Sequence, residues 1–285
     1  MDGTSILGAL FPLPPLRVFG LELHAFGFLV GTGIILGTII AQRRAKALGL
    51  SEQVVAEVAL WAVIPGFIGA HLVHQLFYFP EELKDDPWKL IKFWEGISSF
   101  GGFVGGTLGV LWYFKRRKKE LPFLPYADAI IFGFCFAWIF GRMGCTTAFD
   151  HPGFESDFVL AMEYPGSKHA SAGIRHNLGM YEMFWTALMF VVFWLNRKKT
   201  HFKGWYLAMF VVMYMPVRFV WDFLRAVDVR YGGLTPGQWI AIVLFSLGIA
   251  LIVRGNKSKD TLVPDGKPKP EYWPKKVELA KSGAK

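Results

Sequence analysis

Two arginines lie inside stretches of this chain that are otherwise apolar enough to cross a membrane. Arg142 falls in IIFGFCFAWIFGRMGC and Arg218 in YLAMFVVMYMPVRFVWDFLR. A cation at membrane depth costs roughly 2.5–3.5 kcal/mol on insertion scales, so it normally faces a protein interior or a wet cavity and has a partner. The two arginines therefore predict a buried polar site that binds an anion.

Other charged residues can be grouped with these arginines. Asp222 follows Arg218 by four residues and precedes Arg225 by three, so all three project from one helix face. By itself this spacing fits a salt-bridge ladder that fixes helix packing equally well. With Arg142 and Glu182 at the same depth, three arginines face two carboxylates. Such a net positive pocket suits phosphate, whose oxygens arginine can hold in bidentate fashion.

The composition of the chain indicates a membrane protein. The 285 residues have a mean hydropathy of +0.35 and are 53% hydrophobic. The net charge of +9 could suggest nucleic acid, but the basic residues cluster beside apolar blocks, which is typical of membrane proteins. We therefore expect no nucleic-acid partner. Only two cysteines are present, so no disulfide framework is implied, and we predict no cleavable signal peptide.

Seven apolar segments are long enough to cross a bilayer, which takes about 20 residues. The sequence therefore predicts an all-α integral membrane protein with seven transmembrane helices. The predicted spans are residues 24–41, 54–79, 98–114, 126–146, 179–195, 204–222 and 236–253.

The distribution of lysine and arginine predicts the orientation. Basic groups follow the first, third, fifth and seventh spans, and positive residues favour the cytoplasmic side. This predicts an outer N-terminus and a cytoplasmic C-terminus. The domain prediction is a seven-helix membrane domain over 1–253 with outer loops at 80–97 and 147–178, followed by a basic, disordered cytoplasmic tail over 254–285.

This topology places the polar residues at one depth, in the outer leaflet. Besides the charged group, the residues at that depth are His24, Tyr181, His71 and His74. His71 and His74 share a helix face and could bind a metal together with Asp150 and His151, although interfacial or core histidines are the more ordinary interpretation. We predict no metal and no cofactor. Gly101 and Gly102, near the outer end of the third span, could pack helices or admit a ligand.

The order of several motifs resembles the prolipoprotein diacylglyceryl transferase family over roughly residues 20–253. The motif GRMGCTTAFDHPG resembles the family signature, and six further segments follow the family order. These are LHAFGFLVG, SSFGGFVGG, AMEYPGS, RHNLGMYE, VRFVWDFLR and LTPGQW.

The resemblance implies a reaction and a location. The family transfers diacylglycerol from phosphatidylglycerol to the lipobox cysteine of a prolipoprotein signal peptide, forms a thioether and releases glycerol phosphate. It implies a bacterial cytoplasmic (inner) membrane protein that contacts membrane lipid. It also implies that Arg142 and Arg218 hold the lipid phosphate and that Arg225 and Asp222 support them. By the same resemblance, Tyr181 and Glu182 line the cavity that holds this phosphate.

One departure from the family pattern affects catalysis. Phe100 stands where the family usually has a histidine before Gly101 and Gly102, and that histidine is the natural acceptor of the thiol proton. General-base catalysis contributes about 10²–10⁴-fold. A nearby guanidinium could lower the thiol pKa enough that no strong base is needed. Alternatively His24, His71 or His74 could supply the base, and of these we predict His71.

Two other functions are compatible with parts of the sequence. A diverged relative could bind anionic phospholipid in the outer leaflet without transfer, or use a different acceptor. A small-solute transporter is disfavoured, because the polar residues cluster at one depth and no internal repeat is visible.

Overall fold

Long apolar helices dominate the described part of the chain. The computed structural model describes residues 16–18, 21–23, 25–78, 80–92, 96, 98–117, 121–149, 152–165, 171–226, 230–258 and 260–274. The helices are α1 (Ala25–Ala47), α2 (Glu52–Val73), α3 (Pro80–Asp85), α4 (Ser99–Arg116), α5 (Phe123–Ala148), α6 (Leu178–Asn196), α7 (Trp205–Trp221) and α8 (Pro236–Lys257).

Among the described residues, six helices are long and apolar enough to cross a membrane, namely α1, α2, α5, α6, α7 and α8. The third predicted span is present as α4, but this 18-residue helix is not among the six. Its five glycines and the terminal Lys115 and Arg116 lower its apolar character. Six of the seven predicted spans are therefore confirmed by length and composition.

The chain divides into two compact units. One comprises Met1–Arg44 and Ala127–Asp265, and the other comprises Ala45–Tyr126 and Gly266–Lys285. We refer to them as the first and second unit and describe each by itself.

The first unit has an aromatic core between α5, α6 and α7. Its buried members are Phe132, Cys135, Met189, Phe193, Tyr206, Phe210 and Tyr214. Asp128 of α5 fixes the start of α7 by accepting hydrogen bonds from the backbone N–H groups of Gly204, Tyr206 and Leu207 at 2.7, 2.8 and 3.3 Å. These bonds satisfy donors that the first turn of a helix leaves unpaired.

In the second unit, glycines bring α2 and α4 into close contact. A Cβ atom on Gly69 would lie 2.5 Å from the carbonyl oxygen of Gly101, and one on Gly105 would lie 2.2 Å from that of Pro65. Small residues at this spacing allow backbones to approach closely. The predicted packing role of the α4 glycines is thus confirmed, whereas Gly27 of α1 has no atom within 4 Å of its Cβ position.

A small sheet fills much of the predicted outer loop 147–178. Strands β3 (Pro152–Glu155), β4 (Ala161–Tyr164) and β5 (Gly173–Asn177) pair antiparallel in the order β3-β5-β4. Short two-stranded pairs are formed by β1 (Leu16–Val18) with β2 (Leu21–Leu23) and by β6 (His201–Phe202) with β7 (Thr261–Leu262). The all-α prediction therefore missed three small sheets.

The predicted disorder of the tail does not describe residues 260–274. Leu262 is buried in the β6–β7 pair. Farther along the tail, in the second unit, Gly266 donates to the carbonyl oxygen of Ala47 and the Trp273 indole donates to that of Gly49, both at 2.9 Å. A few apolar and aromatic residues supply contacts that the Lys-, Pro- and Gly-rich composition conceals.

Candidate active site

Glu182 is the centre of a buried ionic cluster in the first unit. Its carboxylate lies on the first turns of α6 and is fully buried. Nε of Arg142 lies 2.9 Å from Oε2, without the angle of a hydrogen bond, and Arg218 donates from a terminal nitrogen to Oε1. The hydroxyl of Tyr214 also donates to Oε2. Side chains of α5, α6 and α7 therefore meet at one carboxylate.

Arg142 is enclosed by protein groups. Its guanidinium lies 4.2 Å from the ring centroid of Trp138 and donates to the Tyr214 hydroxyl at 3.2 Å. It also approaches the sulfur of Cys145 at 3.8 Å. Only 6% of the side chain is exposed. This arginine is placed to hold Glu182 and to maintain positive charge behind it.

Asp222 extends the cluster beyond the end of α7. Its Oδ1 lies 3.1 Å from Arg218 and 3.9 Å from Arg225. Its Oδ2 accepts a hydrogen bond of 2.7 Å from the hydroxyl of Thr235. Thr235 also forms a capping box with Gln238 at the start of α8. One buried carboxylate thus links the C-terminal end of α7 to the N-terminal end of α8.

The cluster is positive overall, and its accessible members are two arginines. Three guanidinium groups and two carboxylates leave one net positive charge. The side chains of Arg218 and Arg225 are 17% and 20% exposed, whereas Glu182 and Asp222 are each 1% exposed. Arg218 and Arg225 are consequently the groups best placed to contact an anion from outside the cluster.

An apolar cavity of about 520 Å³ lies beside the cluster, within the first unit. Tyr181 and Trp221 line it, and they directly precede Glu182 and Asp222 in the chain. Neighbouring residues of a helical segment point about 100° apart, so in each pair the first residue faces the cavity and the second faces the cluster. The remaining lining residues are Phe158, Leu160, His176, Phe184, Trp185, Leu188 and Leu224.

His176 and Tyr181 form the polar element of this cavity. The Nδ1 atom of His176 lies 2.8 Å from the Tyr181 hydroxyl. The ring of Phe158 packs against both side chains at 6.0 and 6.2 Å. The prediction placed Tyr181 with the arginines, but in the structure its hydroxyl instead contacts His176.

His71 lies in the second unit and is fully buried. Its Nδ1 lies 3.2 Å from the carbonyl oxygen of Gly96, and its Nε2 lies 2.9 Å from that of Lys89. A carbonyl only accepts, so this ring is placed to donate toward the segment before α4. This geometry does not support the predicted role of His71 as the acceptor of a thiol proton.

The other predicted ligand contacts have mixed outcomes. Gly101 is buried against α2, and a Cβ on Gly102 would lie 3.7 Å from that of Ala70. Close helix packing accounts for Gly101, because a Cβ there would lie 2.2 Å from the carbonyl oxygen of Gly69, whereas the contact at Gly102 has ordinary van der Waals length. Phe100 lies on the first turn of α4, and nothing is described of its side chain. His24, Asp150 and His151 lie outside the described residues.

Comparison with known proteins supplies the family. Residues 15–254 match the family model described as prolipoprotein diacylglyceryl transferase. This chain belongs to that family. A Clostridium perfringens protein named phosphatidylglycerol–prolipoprotein diacylglyceryl transferase 2 is 28% identical over 239 residues, which cover 82% of this chain and 92% of the relative. Two similar relatives, each named phosphatidylglycerol–prolipoprotein diacylglyceryl transferase, come from Clostridioides difficile (27% identity, 86% and 96% coverage) and Chromohalobacter salexigens (28%, 81% and 88%).

The family match spans the whole ionic cluster and the cavity beside it. Six of the described helices in or overlapping the matched region of this transferase family member are long and apolar enough for a multi-pass membrane protein. Sequence reasoning found Arg142, Glu182 and Arg218 but missed Tyr214 and His176. Tyr214 lies one helical turn before Arg218, and His176 lies in the motif RHNLGMYE, so both positions carried a signal.

Proposed function

We propose that this protein transfers a diacylglyceryl group from phosphatidylglycerol to the cysteine thiol of a prolipoprotein. The observation that carries the proposal is the buried cluster in which Arg142 and Arg218 share Glu182, within a chain that matches the family over residues 15–254. The acceptor is the lipobox cysteine of a signal peptide, and neither a cofactor nor nucleic acid takes part.

The three arginines differ in exposure, and we assign them different roles on that basis. Arg218 and Arg225 contact the phosphate of the lipid, because they are the accessible cations of the cluster. Arg142 positions Arg218 through the shared carboxylate of Glu182. Asp222 positions both Arg218 and Arg225 by direct ion pairs. Positive charge at this point stabilises the glycerol phosphate that leaves, which is electrostatic catalysis by a preorganised site.

The proposal includes a location in the membrane. The protein crosses the bacterial inner membrane seven times, with α4 as the third span, an outer N-terminus and a cytoplasmic C-terminus. The arrangement of basic residues after alternate spans supports this orientation. The cluster then lies in the outer leaflet, where both phosphatidylglycerol and secreted prolipoproteins are within reach.

The test is a reconstituted transfer assay. Purified protein is mixed with phosphatidylglycerol vesicles and a lipobox peptide, and thioether product is measured by mass spectrometry. A peptide with serine in place of cysteine controls for adsorption of lipid. Product from the cysteine peptide, absent with the serine peptide and strongly reduced in Arg218→Gln, supports the proposal. Absence of product with a folded wild-type protein contradicts it.

A non-catalytic lipid binder is the second candidate. Phe100 at the position of the family histidine favours it, because the usual proton acceptor is absent there. In this case phosphatidylglycerol binds at the cluster with normal dependence on Arg218, but no thioether is formed. Binding and transfer measured on the same preparation distinguish the two functions.

A further inference from the structure

We propose that His176 accepts the proton of the acceptor thiol in this protein. This inference rests on the proposed function and names the residue that takes over from the missing family histidine. It starts from the apolar cavity beside the ionic cluster, where His176 is the lining residue that titrates near neutral pH.

The surroundings of His176 fix the orientation of its ring. Nδ1 lies 2.8 Å from the Tyr181 hydroxyl, and Phe158 packs against the ring. Nε2 has no hydrogen-bond partner among the described residues. With the Nδ1 hydrogen donated to Tyr181, the lone pair of Nε2 is available to a substrate in the cavity. In catalytic histidines, the hydrogen bond made by one ring nitrogen commonly sets which nitrogen carries the proton.

Two neighbouring segments connect the strand of His176 to members of the ionic cluster. β5 carries His176 and continues directly into α6, which carries Glu182. On the other side, Gly153 pairs with the backbone of Arg225, and a Cβ on Gly153 would lie 2.6 Å from the Cβ of His176. β3, which carries Gly153, therefore lies between β5 and the backbone of Arg225, the arginine that follows α7.

The charge environment favours a neutral ring. Burial lowers the pKa of His176, so the imidazole is uncharged at pH 7 and can accept a proton. Tyr181 is the titratable group that contacts it from α6, and Trp221 and Leu224 bring no charge to the cavity. Arg175, the neighbour on β5, pairs with Glu155 at 2.7 Å.

In the proposed step the thiol proton moves to His176 and the sulfur displaces glycerol phosphate from the lipid. The apolar residues of the acceptor peptide occupy the cavity, and the S–H bond breaks as its proton passes to Nε2 of His176. The sulfur forms a bond to the glyceryl carbon of the lipid. The bond from that carbon to the phosphate oxygen breaks, and glycerol phosphate leaves with the electron pair toward Arg218 and Arg225.

The experiment compares the wild type with His176→Ala and His176→Gln across pH. A general base contributes about 10²–10⁴-fold, so we expect a loss of that order at pH 7 with phosphatidylglycerol binding unchanged. A free thiol ionises near pH 8.5, so the rate of the variant should rise about tenfold per pH unit up to that value, while the wild type changes less. Added imidazole should partly restore His176→Ala. His201→Ala, in β6, serves as the matched control and should keep the wild-type profile.

Any of three results would overturn the assignment. The first is a wild-type rate of thioether formation in both His176 variants, and the second is a loss of rate that is equal at every pH. The third is a His176→Ala variant that imidazole does not rescue and whose rate depends on pH as in the wild type. If the wild type forms no thioether, the proposed function fails separately. His176 is then tested by iodoacetamide alkylation of the bound peptide thiol, which should be slower in His176→Ala than in the wild type, and equal rates would overturn the role.

Discussion

At the scale of single residues, Glu182 carries the charge balance of the site. The enclosed guanidinium of Arg142 and the partly exposed one of Arg218 share its carboxylate, and Tyr214 donates to it as well. Glu182→Gln would leave both arginines without their main counter-charge. Removing one partner of a buried ion pair costs about 3–5 kcal/mol, so we expect a clear fall in Tm in detergent. The double variant Glu182→Gln/Arg142→Gln should recover part of this loss. Equal stability of Glu182→Gln and the wild type would contradict the central role of this carboxylate.

The two membrane-depth arginines should respond differently to the same substitution. Arg218→Gln removes an accessible charge, and a charge-assisted hydrogen bond is worth about 1.5–3 kcal/mol, so affinity for phosphatidylglycerol should fall roughly 10- to 100-fold. Arg142→Gln should mainly lower stability, because this side chain is enclosed. Arg197→Gln, just beyond the end of α6, is the matched control. Binding is measured by titration with short-chain lipid, and unchanged affinity in folded Arg218→Gln would refute the contact.

Spacing rules predicted some of these contacts and could not predict others. Arg218, Asp222 and Arg225 follow from helical periodicity alone, and their ion pairs are present. The enclosure of Arg142 depends on Trp138 and Tyr214, which belong to different helices. No periodic pattern specifies how two helices face each other, so spacing alone cannot separate the enclosed arginine from the accessible one.

At the scale of elements, the glycine contact between α2 and α4 should tolerate no side chain. A Cβ on Gly69 would lie 2.5 Å from the carbonyl oxygen of Gly101, and backbone cannot move aside as a flexible side chain can. Gly69→Ala should therefore cost about 1–3 kcal/mol, as overpacking does. Gly27→Ala, where nothing lies within 4 Å, is the control and should change stability little. Thermal unfolding of both variants in the same detergent tests this, and a normal Tm for Gly69→Ala would contradict the packing.

The link between α7 and α8 offers a second test at this scale. Thr235→Ala removes the cap of α8 and the hydrogen bond to Asp222 together. Loss of a cap alone costs about 0.5–2 kcal/mol, and the buried carboxylate adds to it. Thr235→Ser keeps the hydroxyl and should retain most of the stability. If both variants melt alike, the hydroxyl is not what joins the helices.

Among the elements, sequence reasoning was better at long helices than at short strands. Twenty apolar residues are a strong signal, whereas β3, β4 and β5 have four or five residues each, too few for a period of two to stand out. The glycines of α4 were predicted to pack helices and do so. Gly27 has the same spacing and no close neighbour, because spacing does not state which face meets another helix.

At the scale of the whole molecule, composition predicted the helical membrane fold, but it did not predict the ordered structure of the tail. Residues 261–274 hold their positions with a two-residue strand and a few backbone hydrogen bonds. Such contacts are made with partners distant in the chain, Phe202 in one unit and Gly49 in the other. Composition records neither partner, so a segment rich in Lys, Pro and Gly reads as disordered until its contacts are known.

The orientation of the protein is the remaining whole-molecule prediction. Basic residues after alternate spans predict that the loop after α6 is cytoplasmic and that the segment around α3 lies outside. Lys84 and Lys199 are exposed positions on these two segments. In intact cells, Lys84→Cys should react with an impermeant maleimide, whereas Lys199→Cys should react only after permeabilisation. The native Cys135 and Cys145 are buried, so the background should be low. The reverse labelling pattern would move the arginine cluster to the cytoplasmic leaflet, where phosphatidylglycerol is present but secreted prolipoproteins are out of reach, and the proposed reaction would lose its acceptor.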